Sequence, residues 1–302
     1  FHDILITIGI CIVMAGLWGI GSLIVALPAI LVLTEILVKQ QRLALPAVVL
    51  TLFYCFWVFV IGTAGLDALY GPDLEPVLGA CLMALAFAVM LLPFYSRYRI
   101  PLALSLWIAS LSCMLLSGVF LLLTQVTGEP DIITARPMLS SAISLVSALI
   151  LFGVAMAYDL SDRFRVTRRS DVAFWLHLAA APALLYAILA FMFLRDSNSD
   201  GILDLGKRSP DAVVVVFMVA VFMVIGLIID RRAFVTSGLV SLGLATASVL
   251  REMKAAPETY IFSTLLIVGL VVLTIGTGWP YFRRLAVGAL PAALKHKLPP
   301  VR

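Results

Sequence analysis

Apolar residues run along this chain in long blocks, and the polar residues gather between them. A block of roughly 20 apolar residues spans a bilayer as a helix. The blocks predict ten helices: 4–18, 21–38, 44–64, 75–95, 101–124, 138–158, 171–194, 211–229, 233–250 and 259–281. The predicted class is all-α, a polytopic transmembrane helical bundle of about ten spans. Residues 4–38 form one apolar stretch, which as a single helix would be about 52 Å long against about 30 Å of hydrocarbon. Two short spans turning at Gly19-Ile20-Gly21-Ser22 fit better, because glycine permits the tight turn. Residues 4–18 lack the basic start and small-residue cleavage site of a signal peptide and are expected to be a span. No connection is long enough for a soluble domain. A single membrane domain over 1–282 is expected, followed by a basic amphipathic tail over 283–302.

Composition narrows the class. The chain is 63% hydrophobic and 13% charged, with a mean hydropathy of +1.12. Soluble domains are about 45–50% apolar and about 25% charged. An ordinary soluble enzyme, a disordered tail and a nucleic-acid-binding domain are excluded. The four cysteines, Cys11, Cys55, Cys81 and Cys113, each lie in an apolar run and form no CxxC pair. They predict core packing rather than a disulfide framework or a zinc site.

Charge sets the orientation. Threading ten spans puts 15 of the 21 Lys and Arg residues on one side, with six acidic residues, a balance of +9. The other side holds six basic and 11 acidic residues, a balance of −5. Basic loops stay cytoplasmic, so both termini are expected inside. The basic residues are distributed among turns, which accounts for the net +4 without a nucleic-acid partner. Trp279, Tyr281, Phe282, Trp175, Tyr95 and Tyr98 fall near the same interface, where amphipathic rings are favoured.

Ionisable groups deep in a bilayer are costly and mark function by default. Most of the ten helices carry only Ser, Thr, Tyr and Cys near their centres. That is a thin inventory for a proton- or sodium-coupled transporter. Glu35 is one exception, four residues before Lys39. It reads as a paired interfacial carboxylate, or as a proton relay or substrate counter-ion. His177 is the other, six residues after Asp171 and about 9 Å further along the helix axis. Asp171 or Ser170 is the expected N-cap of that helix. His177 reads as a histidine hydrogen-bonded to a neighbouring helix, or as a ligand, proton or quinone-headgroup contact. No second histidine falls within a predicted helix, so a bis-histidine haem site within the chain is not expected. Asp159, Asp162 and Asp171 are close enough to the same interface to converge with His177 in the fold.

Two further segments carry candidate chemistry. The loop Asp196-Ser197-Asn198-Ser199-Asp200-Gly201-Ile202-Leu203-Asp204 resembles a calcium loop of the EF-hand or dockerin type. By that resemblance Asp196, Asn198, Asp200 and Asp204 supply side-chain oxygens to a weak Ca²⁺ site. Lys207 stands where the family has a bidentate Glu, and a plain polar loop is the competing reading. In the tail, Arg283, Arg284, Lys295 and Lys297 with interleaved leucines predict a segment lying on anionic lipid. No other cofactor is expected. No nucleophile elbow, Walker loop, HExxH or GxGxxG is present.

The stretch from Arg168 through His177 to Ala180, the Asp230-Arg231-Arg232-Ala233 turn, and the ending Gly278-Trp279-Pro280-Tyr281-Phe282-Arg283-Arg284 resemble an uncharacterised family of proteobacterial polytopic inner-membrane proteins. The resemblance implies a bacterial inner membrane and supplies no activity. The length, ten spans and inside termini also match the drug/metabolite transporter layout, in topology only. Three functional readings follow. One is a non-catalytic accessory, scaffold or assembly subunit with a membrane-protein partner or a second copy of itself. Another is a transporter or flippase for a hydrophobic or amphipathic small molecule. The third, a membrane enzyme acting on lipid or quinone, lacks a convincing acid–base pair.

Overall fold

The computed structural model describes residues 2–20, 23–129, 131–162, 164–193, 209–236, 238–239, 243, 257–291 and 298. These residues are helical almost throughout, with no strand among them. In chain order the helices are α1 (His2–Gly19), α2 (Leu23–Leu33, continued as a π-helix over Thr34–Gln40), α3 (Ala44–Tyr70), α4 (Pro76–Tyr98) and α5 (Pro101–Thr127). A short α6 (Ile132–Ala135) precedes α7 (Pro137–Ser161), α8 (Arg168–Phe193), α9 (Ser209–Ile229) and α10 (Pro257–Gly288). Eight of the described helices are long and apolar enough to cross a membrane, and α9 adds an apolar run at 216–229. The expected helix 233–250 lies largely outside the described residues, apart from a helical turn at 233–236. The break expected near Gly19 is present, since α1 ends there and α2 starts at Leu23.

Several helices run past their apolar blocks. α3 reaches Tyr70 rather than residue 64, and α10 reaches Gly288 rather than residue 281. A helix already satisfies its backbone internally, so it continues into the headgroup layer until a residue stops it. Gly71 (φ +70°) stops α3 and Gly128 (φ +69°) stops α5. α4 ends on Arg99, also left-handed (φ 52°), whose N–H donates to the Tyr95 carbonyl at 2.7 Å.

The chain divides into two compact units, 1–130 and 131–302. In the first, aromatic side chains tie helices together through backbone carbonyls. Trp57 Nε1 donates to Leu23 O at 2.9 Å, Tyr54 Oη to Met90 O at 2.9 Å, and Trp107 Nε1 to Ala88 O at 3.0 Å. An apolar surrounding offers these polar tips no water, so a carbonyl of a neighbouring helix satisfies them. In the second unit α7 and α8 make the most extensive contact, through small residues. Ala148, Ala155, Ala173, Ala180 and Ala181 are all buried, which lets the helices approach closely. Leu184, Leu185, Val219, Phe222 and Phe234 complete that core.

A buried ion cluster as candidate functional site

Asp159 lies in the last turn of α7, where the helix dipole disfavours a negative charge. Arg231 compensates it. Its Nε donates to Asp159 Oδ2 at 3.1 Å and its Nη2 donates to Asp159 Oδ1. Nη2 also lies 3.3 Å from both the carbonyl and the hydroxyl of Ser170 on α8. Asp159 and Arg231 are each only 6% exposed. His177, two turns further along α8, is completely buried, with Nε2 3.4 Å from Asp159 Oδ2. Among the described residues neither ring nitrogen of His177 has a partner in good hydrogen-bond geometry. The rings of Phe152 and Phe234 flank it, each with its centroid 5.8 Å away.

A second ion set adjoins the first through the chain. Asp230 (φ 60°) ends α9, and its Oδ2 accepts from Arg165 Nη1 at 2.9 Å. Arg165 Nη2 donates to the carbonyls of Ile229 and Asp230, which the helix end leaves open. Asp230 Oδ1 accepts from Trp279 Nε1 at 3.1 Å and lies 3.5 Å from Arg283 Nε on α10. Arg232 stacks on the Trp279 ring at 5.6 Å. The three consecutive residues 230–232 thus tether α7, α8 and α10. Gly226 permits the approach of this turn, because a Cβ there would meet the Arg231 carbonyl and the Phe234 Cβ at 3.1 Å each.

The loop joining α7 to α8 is set by Asp162, which accepts from Val166 N, Thr167 N and Thr167 Oγ1 at 3.1, 2.7 and 2.6 Å. Thr167 Oγ1 in turn accepts from Arg169 N at 3.3 Å and caps α8. The cap is therefore Thr167, not Ser170 or Asp171, because Asp162 fixes the Thr167 hydroxyl one turn earlier. Ser170 is freed to face Arg231, and Asp171 is exposed. The Thr167 hydroxyl, with the loop N–H groups, holds the Asp162 carboxyl below the usual carboxylate range. A depressed pKa in the fold stabilises the loop above the ordinary Asp value of about 3.9, and that contribution is lost as pH falls through the lower folded value. Amide protection at Val166 and Thr167, corrected for intrinsic exchange, is expected to persist down to about pH 4 and to fall below it. Asp162→Ala should remove that protection at neutral pH, and unchanged protection would contradict the assignment.

The remaining candidates are dispersed. Glu35 Oε1 accepts from Lys39 Nζ and Arg97 Nη2, both at 2.9 Å, in the 1–130 unit. The Lys39 pairing follows from spacing, whereas Arg97 comes from α4. All three side chains are part-exposed, where solvent screens such pairs and they add little to stability. Arg283 is a correction. It was expected on the lipid surface, yet it is 4% exposed and faces Asp230, because α10 continues past residue 282 and turns that position inward. Arg284 is exposed, while Lys295 and Lys297 lie outside the described residues. The calcium-like residues Asp196, Asn198, Asp200 and Asp204 also lie outside them. Among the described residues no three His, Cys, Asp or Glu side chains gather as a metal site.

What the cluster can do chemically is exchange partners around Asp159. The Ser170 hydroxyl accepts from Arg231, and among the described residues no base is hydrogen-bonded to its proton as a hydrolytic pair requires. Arg231 escaped the sequence reading because it resembles every other basic turn residue. The signal that could have found it is Asp159, an acid inside the end of an apolar helix that needs a cation. The fold defines an integral, multi-pass helical membrane protein. No protein-family model matches the sequence, and no curated protein or solved structure matches it. The three stretches 168–180, 230–233 and 278–284 meet in this cluster.

Proposed function

We propose that this membrane protein is a non-catalytic accessory or scaffold subunit of a membrane complex. Two open glycine pairs carry that reading. A Cβ built at Gly9 or Gly16 on α1, or at Gly269 or Gly276 on α10, meets nothing within 4 Å. Seven residues is about two turns, so each pair lies on one helix face. Membrane helices associate through small residues, because close approach gains dispersion contacts that lipid tails cannot match. Glycine is the least favourable helix residue apart from proline, so a row left unfilled by the described residues weakens its helix without return from them. A partner helix, from another protein or a second copy, would use these rows. The asymmetry of basic turns supports an orientation with the basic side cytoplasmic, and the resemblance carried by 168–180, 230–233 and 278–284 suggests a bacterial inner membrane.

Native mass spectrometry after gentle extraction tests the reading, and a stoichiometric partner is the expected result. Gly16→Leu and Gly276→Leu add bulk to open space, so the isolated chain should remain as stable as before. The association should weaken about tenfold or more, which is 1.4 kcal/mol or above. A lone monomer in native lipid, or association indifferent to both substitutions, would overturn the proposal. A second reading, a transporter or flippase of a hydrophobic or amphipathic small molecule, draws on the ionisable set buried among α7, α8 and α9. A bound small molecule in place of a subunit in the same spectra would favour it.

A further inference from the structure

We propose that His177, Asp159 and Arg231 form a proton-binding site in which a proton on His177 and the Arg231 guanidinium compete for one carboxylate. The inference does not depend on a partner subunit. Among the described residues the charged group facing His177 is Asp159 from α7, and that same carboxylate is held by Arg231 from the turn after α9. The rings of Phe152 and Phe234 pack against the His177 ring. A carboxylate offers about four lone-pair positions, and Arg231 fills two of them. Asp159 Oδ2 keeps a free lone pair, and His177 Nε2 waits 3.4 Å away, just beyond a good hydrogen bond.

Charge balance makes the exchange favourable to build. With His177 neutral, Asp159 and Arg231 sum to zero. If His177 takes a proton from water on the basic side, one ring nitrogen gains the N–H and Nε2–H donates to Asp159 Oδ2. Arg231 then moves outward, and the buried set again sums to zero. Either state avoids an unpaired charge in a medium where one is expensive. Keeping Arg231 in place beside a protonated His177 would leave a net positive charge buried. Arg231 belongs to the turn that also carries the Asp230 contacts to α10, so the proton is linked to how that turn is held.

The test is histidine-ring and arginine Nε NMR on the full chain in lipid nanodiscs. The chain has only three histidines, and His177→Gln assigns the signal of interest. Arg231→Gln removes the competitor, so the proton affinity of His177 should rise about tenfold or more. Asp159→Asn removes the carboxylate charge that a protonated ring pairs with, so the affinity should fall about tenfold or more. In the unaltered protein the Arg231 Nε signal should shift to its solvated position over the same pH interval in which the His177 ring protonates. Arg231→Lys keeps the charge without the two-pronged grip and should raise the affinity by a smaller factor, which serves if Arg231→Gln does not fold. Equal proton affinity in the unaltered protein and the arginine variants, or an Arg231 signal that stays put as His177 protonates, would overturn the proposal.

Discussion

Arg231→Ala is expected to destabilise the 131–302 unit by about 3–5 kcal/mol, the usual cost of breaking a buried ion pair from one side. While His177 is neutral, Asp159 would be left as a buried carboxylate at the end of a helix, with the dipole against it. Ser170 would lose its donor as well. Removing both charges is a different matter. Asp159→Leu with Arg231→Met replaces the pair by apolar volume and should recover most of the loss, since such exchanges are often close to neutral. Unfolding in mixed micelles, followed by tryptophan fluorescence, measures both proteins. If the double variant were as unstable as the single one, the penalty would lie in packing rather than in an orphaned charge.

Phe234→Ala is the other large effect, with a loss of about 3 kcal/mol. Truncating a buried Phe costs about 3–5 kcal/mol in soluble cores. Part of that figure is transfer from water, which is smaller where the surroundings are lipid, so the lower end applies. What remains is the cavity. The Phe234 ring is fully buried against Phe152, Phe222 and His177, at centroid distances of 5.6, 5.7 and 5.8 Å. Phe234→Leu refills most of that space and should cost less than about 1.5 kcal/mol. The same unfolding measurement separates the two. A loss below about 1 kcal/mol for the alanine variant would mean that neighbouring rings collapse into the gap.

The helices were legible because their signal is local. The block 75–95 became Pro76–Tyr98 and the block 101–124 became Pro101–Thr127, with the stops displaced to the first left-handed residue. His177 was legible as a lone imidazole in an apolar helix, and Asp159 as an acid close to it. Their proximity required α7 and α8 to pair, which short connections favour. Arg231 was not legible as a partner, because it is 72 residues from Asp159 and the orientation rule already explained it. The inward turn of Arg283 was hidden for the same reason. A charge that satisfies one constraint gives no sign that it satisfies a second. The Thr167 cap was missed because Ser170 and Asp171 have better cap preferences in isolation, and only the Asp162 carboxylate decides among them.

Among the described residues, four other than glycine hold the left-handed backbone conformation: Arg42, Arg99, Arg165 and Asp230. Each sits at a corner on the basic side, and the conformation costs roughly 1 kcal/mol or more for a residue with a side chain. Glycine would remove that cost, yet three of the four corners carry arginine. Biosynthesis offers a reason. A nascent chain is threaded before any helix has packed, when a cation beside an emerging span is the cue that holds that end back. A cation that serves as that cue would then remain at its corner, in a shape glycine would adopt more easily. On this reading the demands of entering the bilayer are set against the comfort of the finished fold at these corners.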